Sequence, residues 1–150
     1  MKKKIQGCFI LLAILLMGIG CDESNFYDVT IKNGTSFGLS ADYSIREVII
    51  DSENITFSKR GFDERNTPEI SFQEKFSSDK FHELFELINL QEFNKLPDYI
   101  GCPDCYDQGA EWVELSVPEY SKRVTFSYDE IIPEIEEFVN KLREIRNSYN

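Results

Sequence analysis

The sequence places a helical pattern of apolar residues between two stretches in which apolar and polar residues alternate. Apolar side chains recur at intervals of three and four from Phe81 to Ile88, which predicts the buried face of an amphipathic helix. Residues 77–79 supply side-chain oxygens that can cap its start. The pattern continues to Leu96, and Pro97 prevents further helix, so a single helix is predicted over this segment.

The strands on either side are predicted to be antiparallel because short turns join them. Residues 43–50 and 55–58 alternate around a turn at 51–54, residues 69–73 alternate again, and residues 112–127 form a hairpin. A last helix buries Ile135, Phe138, Leu142 and Ile145. The order strands, helix, hairpin, helix predicts an α+β fold, in which an antiparallel sheet carries two helices packed on one face as a two-layer sandwich.

The N-terminus has the parts of a secretion signal. A basic start at residues 2–4 precedes an apolar run, Ile5 to Ile19, that is shorter than the roughly 20 residues needed to span a bilayer. The run ends in Met17-Gly18-Ile19-Gly20-Cys21, which resembles the lipobox of bacterial lipoproteins. The resemblance implies that residues 1–20 are removed and that a lipid on Cys21 anchors the chain in the cell envelope. The favoured location is the outer membrane of a Gram-negative bacterium, on either its periplasmic or its surface face. The alternative to a cleaved signal is an uncleaved N-terminal anchor.

Cleavage would leave a strongly acidic chain. Loss of three lysines lowers the basic residues from 16 to 13 against 27 acidic ones, so the net charge changes from −11 to −14. Such a chain repels phosphate backbones, which argues against a nucleic-acid partner. It also repels anionic lipid headgroups, so attachment to the membrane would depend on the acyl chains. Removing 20 of the 150 residues leaves enough for one domain with its own core.

The mature chain is divided into two predicted parts. Residues 21–41 are predicted to be a lipidated tether followed by an N-terminal arm or hairpin, and 42–150 a single α+β domain. Asp22 and Glu23 follow the cysteine, which resembles the surface-export signals of Bacteroidota lipoproteins; a solvated linker is the alternative. Farther on, Asn33-Gly34 after alternating residues predicts a hairpin turn.

Two cysteines remain available for chemistry, Cys102 and Cys105, because Cys8 is removed and Cys21 is modified. A structural disulfide is favoured in an oxidising compartment. A thiol-redox site would need a helix N-terminus after the first cysteine, whereas the sequence downstream predicts a strand. A zinc site would need two further ligands, and His82 lies off the buried face of the preceding helix. An inert, reduced pair is the fourth alternative.

Acidic residues near this loop could supply oxygen ligands for calcium, but their spacing matches no EF-hand, and solvated side chains are favoured. They are Asp98, Asp104, Asp107, Glu111 and Glu114. The sequence contains no Gly-x-Ser-x-Gly elbow and no glycine-rich phosphate loop after a strand. No catalytic residue, metal site or cofactor is therefore predicted.

A second resemblance covers the cysteine loop and the strand after it. Gly101-Cys102-Pro103-Asp104-Cys105 with Gly109-Ala110-Glu111-Trp112 is similar to a segment of uncharacterised Bacteroidota lipoproteins, which implies neither activity nor ligand. Trp112 is predicted to pack inside the domain, with its ring near the disulfide. The alternative is an exposed aromatic anchor for a partner, a role for which Phe62 in its polar loop is a second candidate.

These observations favour a lipid-anchored, non-enzymatic binding module for a protein or glycan. The binding surface would be a sheet face, a sheet edge, or the loops near Phe62 and Trp112. The alternative is an envelope protein that handles thiols or metal through Cys102 and Cys105.

Overall fold

The computed structural model describes residues 28–38, 42–63 and 65–149. The predicted signal peptide, Cys21 and the first part of the tether lie outside these residues. Within them the fold is mixed α and β, with seven strands in one sheet and three helices. In chain order the elements are β1 (Thr30–Ser36), β2 (Ile45–Ile50), β3 (Asn54–Arg60), β4 (Ile70–Lys75), α1 (Ser78–Glu86), α2 (Leu90–Lys95), β5 (Tyr99–Ile100), β6 (Ala110–Val117), β7 (Tyr120–Ser127) and α3 (Glu136–Ser148).

The sheet is mostly antiparallel, as predicted, with the strand order β4-β3-β2-β1-β6-β7-β5. Strand β5 is the exception, because it pairs in parallel with β7 through Tyr99 and Ile100. The predicted turn at 51–54 and the predicted hairpin over residues 112–127 are confirmed. The Asp51 carboxylate accepts hydrogen bonds from the amides of Glu53 and Asn54 at 2.8 and 2.7 Å, which closes the connection between β2 and β3.

The predicted hairpin turn at Asn33-Gly34 is wrong. Both residues lie inside β1, where Asn33 is paired with Val48 of β2 on one side and with Val113 of β6 on the other. Pairing along both edges outweighs the local turn preference of Asn-Gly, and β1 is a central strand. The sheet therefore includes residues that the sequence assigned to an arm ahead of the domain.

The helix predicted over residues 77–96 is two helices. Helix α1 ends at Glu86, and a new cap is formed by Asn89, whose side chain accepts hydrogen bonds from the amides of Gln91 and Glu92. The break lets the chain change direction before Pro97. Ahead of the last helix, Pro133 begins a short 3-10 turn that leads into α3, and its missing amide hydrogen costs no helical hydrogen bond there.

A single hydrophobic core joins the helices to the sheet. Its fully buried side chains come from alternate positions of β1, β2, β3, β6 and β7 and from the inner faces of the helices. They include Ile31, Val48, Ile55, Val113, Val124, Phe81, Phe93, Phe138 and Leu142. The period of two in the strands after residue 42 and the helical spacing in the helices therefore identified these core positions correctly, with the exception of Ile31, which lies in the segment assigned to an arm.

Candidate binding site

The strand register gives the sheet two distinct ends. At one of them β1 and β3 end at Ser36 and Arg60, and β6 begins at Ala110 and is paired with Ser127, the last residue of β7. We term this the loop end, because the loops that carry Phe37, Phe62, Tyr106, Tyr128 and Ile131 leave the sheet there. The opposite end holds the two tight turns, 51–54 and 118–119, and the start of β1 at Thr30.

The loop between β5 and β6 contains the predicted disulfide, which is confirmed. The sulfurs of Cys102 and Cys105 lie at bonding distance, and their Cα atoms are 5.4 Å apart. The Cys105 amide donates to the Cys102 carbonyl at 3.1 Å, and the Asp104 amide donates to the Gly109 carbonyl at 3.1 Å. The bridge and these hydrogen bonds close the loop upon itself.

The backbone of this loop repeatedly adopts the left-handed conformation. Asp104 has φ of 61° and Tyr106 has φ of 57°, and Gly101 and Gly109 also have positive φ. The conformation is unfavourable for a bulky residue such as tyrosine and is maintained only where the surrounding structure imposes it. Tyr106 is nevertheless 93% exposed. Packing of its side chain against the rest of the protein therefore does not explain the backbone conformation.

Contacts with the sheet fix the loop in position. The Ser127 hydroxyl accepts a hydrogen bond from the Cys102 amide at 3.3 Å, and the Gly109 carbonyl accepts one from the Tyr128 amide at 3.3 Å. Gly109 lies against the ring of Phe37, where a Cβ atom would come within 2.6 Å of ring carbons. The Phe37 ring in turn meets the Tyr128 ring edge to face at 4.8 Å. The loop is thus held by β1, β6 and β7 together.

Other apolar side chains are exposed at the loop end. Phe62, a predicted anchor, is 61% exposed in the loop after β3. Ile131 and Tyr128, which follow β7, are also exposed. Strands β3 and β6 are three positions apart in the sheet, so the bases of the loops that carry Phe62 and Tyr106 are separated by about 14 Å. One surface of moderate size can therefore include both loops.

Trp112, the other predicted anchor, is only 8% exposed. Its ring lies over Gly34 of the neighbouring strand, where a Cβ atom would be 2.2 Å from the ring. The indole nitrogen donates to the Glu47 carboxylate at 3.3 Å, and the Arg123 guanidinium lies 5.3 Å from the ring centre. These contacts, rather than the disulfide, surround the ring and bind β6 to β1 and β7.

Glu114, two residues farther along β6, lies between two cations on the same sheet face as Trp112. Its carboxylate contacts Lys32 at 3.1 Å and Arg123 at 2.7 Å. Partial burial alone would raise the pKa of Glu114, but hydrogen bonds and charge from both cations outweigh it and leave the pKa lowered. The cluster links three neighbouring strands.

The opposite face of β6 carries a buried ionic network that the sequence analysis missed. Glu111 is fully buried, and its carboxylate accepts hydrogen bonds from Arg143 at 2.8 and 3.0 Å and from Arg146 at 2.8 Å. Asn33 donates to the same carboxylate and accepts a hydrogen bond from Arg146. Burial alone would raise the pKa of Glu111, but the two guanidinium groups lower it. Arg143 also donates to the Glu130 carbonyl, so α3, β6 and the segment after β7 are held together.

No known protein family matches the chain, and no curated protein is similar to it. Across the described residues, none of the helices is long and apolar enough to cross a membrane. Function is therefore inferred from the geometry of the loop end.

Among the side chains that the structure describes, the acidic residues that were considered for calcium are not brought together. Glu111 and Glu114 point to opposite faces of β6, and Asp98 is paired with Lys122 at 2.6 Å. In the part of the chain that the structure describes, no three His, Cys, Asp or Glu side chains are grouped as metal ligands. His82 lies on the surface and is paired with Glu86 on the same helix.

Proposed function

We propose that this protein is a lipid-anchored domain of the bacterial cell envelope that binds a protein or glycan partner through its loop end. The proposal depends on the secretion signal over residues 1–20 and on Cys21 as the lipidated residue. The observation that carries the binding function is the disulfide-closed loop, which holds Tyr106 almost fully exposed on an unfavourable backbone.

Rigid aromatic side chains suit binding surfaces for a physical reason. A tyrosine buries a large area on contact and has a hydroxyl that can hydrogen-bond. When its backbone is already fixed, little conformational entropy is lost on binding, so more of the contact energy contributes to affinity. Tyr106 meets both conditions, and Phe62 and Ile131 extend the surface on which a partner would lie.

The direction of β1 supports this arrangement. The strand begins at Thr30, at the end of the sheet opposite the loop end, and its seven residues span roughly 20 Å. A chain that is anchored at Cys21 enters the domain at that far end. The loop end is then directed away from the membrane, where a partner can reach it.

A second part of the proposal concerns the sheet face that the helices cover. We propose that all three helices lie on the sheet face that carries Ile31, Val48 and Val113, which makes two layers. The other face carries Lys32, Glu114 and Arg123, a polar set that suits contact with water.

Anchoring is tested by Cys21→Ser in the full chain. We expect the variant to lose labelling by a palmitate analogue and to leave the membrane fraction after a carbonate wash, since the acyl chains provide the attachment. The wild-type chain should be labelled and should stay in the membrane fraction. A variant that still sediments with membranes would exclude lipidation as the anchor.

Binding at the loop end is tested by placing a photo-crosslinking phenylalanine analogue at position 106 and, as a matched control, at position 120. Tyr120 is also an exposed tyrosine, but it lies at the start of β7, at the end of the sheet opposite the loop end. In envelopes of the native organism we expect the analogue at position 106 to give one discrete crosslinked adduct. Added wild-type protein should compete for the partner and strongly reduce this adduct, whereas added Tyr106→Ala protein should reduce it only weakly. Equal labelling from both positions would contradict a specific site at the loop end.

The thiol-redox alternative is supported by one feature, the exposure of Cys102 at the surface of the loop. A disulfide that a client thiolate can reach is open to exchange through a mixed disulfide. The single variants Cys102→Ser and Cys105→Ser would then retain client proteins on non-reducing gels. The binding function predicts no such adducts.

A further inference from the structure

Strand β4 forms an exposed edge of the sheet. Each of its six residues is exposed, and among the described residues β3 is its one strand neighbour. Its sequence, Ile70 to Lys75, contains no proline or glycine that would disturb pairing. Phe72 contacts Phe57 and Tyr149 at 5.5 Å, yet 44% of its side chain remains exposed.

The other edge of the sheet differs from β4. Strand β5 has only two residues, and the chain that leads into it lies along β7, where Lys122 donates to the Leu96 carbonyl at 2.9 Å and to Asp98. Short and covered edges of this kind prevent strands of other molecules from pairing. The edge at β4 lacks both forms of protection, and its first half carries two apolar residues, Ile70 and Phe72, that a paired strand would cover.

We propose that two copies of this chain pair through β4, antiparallel and in one register, with Phe72 of each copy opposite Phe72 of the other. A two-fold axis through that pair brings Ser71 opposite Gln73 and Glu69 opposite Lys75 of the second copy. Opposed residues in an antiparallel pair share a face and lie about 5 Å apart at Cβ, so each contact is direct.

Charge complementarity selects both the occupant and the register. Glu69 precedes the strand, Lys75 is its last residue, and both are exposed. The two-fold axis brings them into two cross-strand ion pairs. Within one copy Lys75 contacts Glu53 at 3.7 Å with most of its side chain in water, so it is able to reorient. A shift by two residues would place Lys75 opposite Ser71 and would lose both ion pairs. Although each copy is acidic overall, the paired edges are complementary.

The test is disulfide trapping of the full chain in its own envelope, with Phe72→Cys as the probe and Gln73→Cys as the neighbouring control. We expect Phe72→Cys to give a dimer of twice the chain mass on non-reducing gels. In this register residue 73 lies opposite Ser71 of the other copy, so Gln73→Cys should give at least fivefold less disulfide-linked dimer. The wild type should give none, since Cys102 and Cys105 are bonded to each other and, under the proposed function, Cys8 is removed and Cys21 is lipidated.

Charge reversal separates pairing from chance collision. In the Phe72→Cys background, Glu69→Lys or Lys75→Glu alone should reduce the dimer several-fold, and the double reversal should restore it. Failure of the double reversal to restore the dimer would overturn the proposal. So would equal trapping by Phe72→Cys and Gln73→Cys, a monomer alone, or an adduct of another mass that indicates a strand from a different protein.

Discussion

Replacement of Glu111 by glutamine tests how the domain is held together. The substitution keeps the shape of the side chain but removes the one negative charge that Arg143 and Arg146 share in the interior. One of the two carboxylate oxygens becomes an amide group, which places hydrogen-bond donors against guanidinium donors. Arg146, which is 3% exposed, then has no counter-charge among its described contacts.

The expected cost is large. Breaking a buried ion pair by neutralising one partner costs about 3–5 kcal/mol, because a buried charge is left uncompensated. A domain of this size has a total stability of only about 5–15 kcal/mol. Glu111→Gln should therefore move the urea midpoint downward by about 1 M or more, given slopes of about 1–3 kcal/mol per M.

The matched control is Glu114→Gln, on the opposite face of the same strand. Its partners Lys32 and Arg123 are partly in water, so we expect a loss of about 1 kcal/mol or less. Equal losses for the two variants, or a loss below about 1 kcal/mol for Glu111→Gln, would refute the role given to the buried network.

The same network predicts a dependence on pH. The folded-state pKa of Glu111 lies below the usual value of 4.5, so its stabilising contribution is fully present above that pH. The contribution is lost as the pH falls through the folded-state pKa, because the folded chain must then take up a proton at a site that favours the anion. Urea titrations between neutral and acidic pH should show a steeper loss in the wild type than in Glu111→Gln.

Three further substitutions test other parts of the structure. Gly34→Ala should cost about 1–3 kcal/mol in urea unfolding, because its Cβ would lie 2.2 Å from the Trp112 ring; an unchanged midpoint would contradict that packing. The double variant of Cys102 and Cys105 to serine should lose about 2 kcal/mol or less, since so short a loop gains little from closure, and chelators should not affect the melting of the wild type. Phe138→Ala should cost about 3–5 kcal/mol, and a loss below half a kcal/mol would be incompatible with its full burial.

The positions of the core residues could be predicted because periodicity reports which side chains face inward. The same periodicity also indicates the buried ionic network. Glu111 has the same parity as Val113 and Leu115 along β6, so the alternation that buries those residues also buries Glu111. Arg146 is four residues after Leu142 and shares its helix face. Arginines in the last turns of a helix, such as Arg143 and Arg146, can also complement the helix dipole from the surface, so their position alone does not indicate a buried network.

Other features depend on contacts that are distant in the sequence. The placement of Asn33-Gly34 inside a strand requires β2 and β6 on either side, and neither neighbour is visible in the local sequence. The left-handed backbone at Tyr106 is likewise not indicated by the local sequence, because tyrosine rarely adopts that conformation. Such a loop cannot be derived from local propensities, which disfavour its backbone.

The buried network and the exposed loop are structurally connected, because both are attached to the first residues of β6. Gly109 ends the loop, and Glu111 lies two residues later, bound to Arg143, which also holds the Glu130 carbonyl. The segment between Ser127 and Glu130 is thus fixed to α3 on one side and to the disulfide loop on the other. A partner that contacts Tyr106 therefore meets a loop whose base is held by buried charges rather than by surface contacts alone. Loss of the Glu111 charge should accordingly increase hydrogen exchange at the Cys102 and Tyr128 amides, which donate to the Ser127 hydroxyl and the Gly109 carbonyl, even in conditions where the domain stays folded.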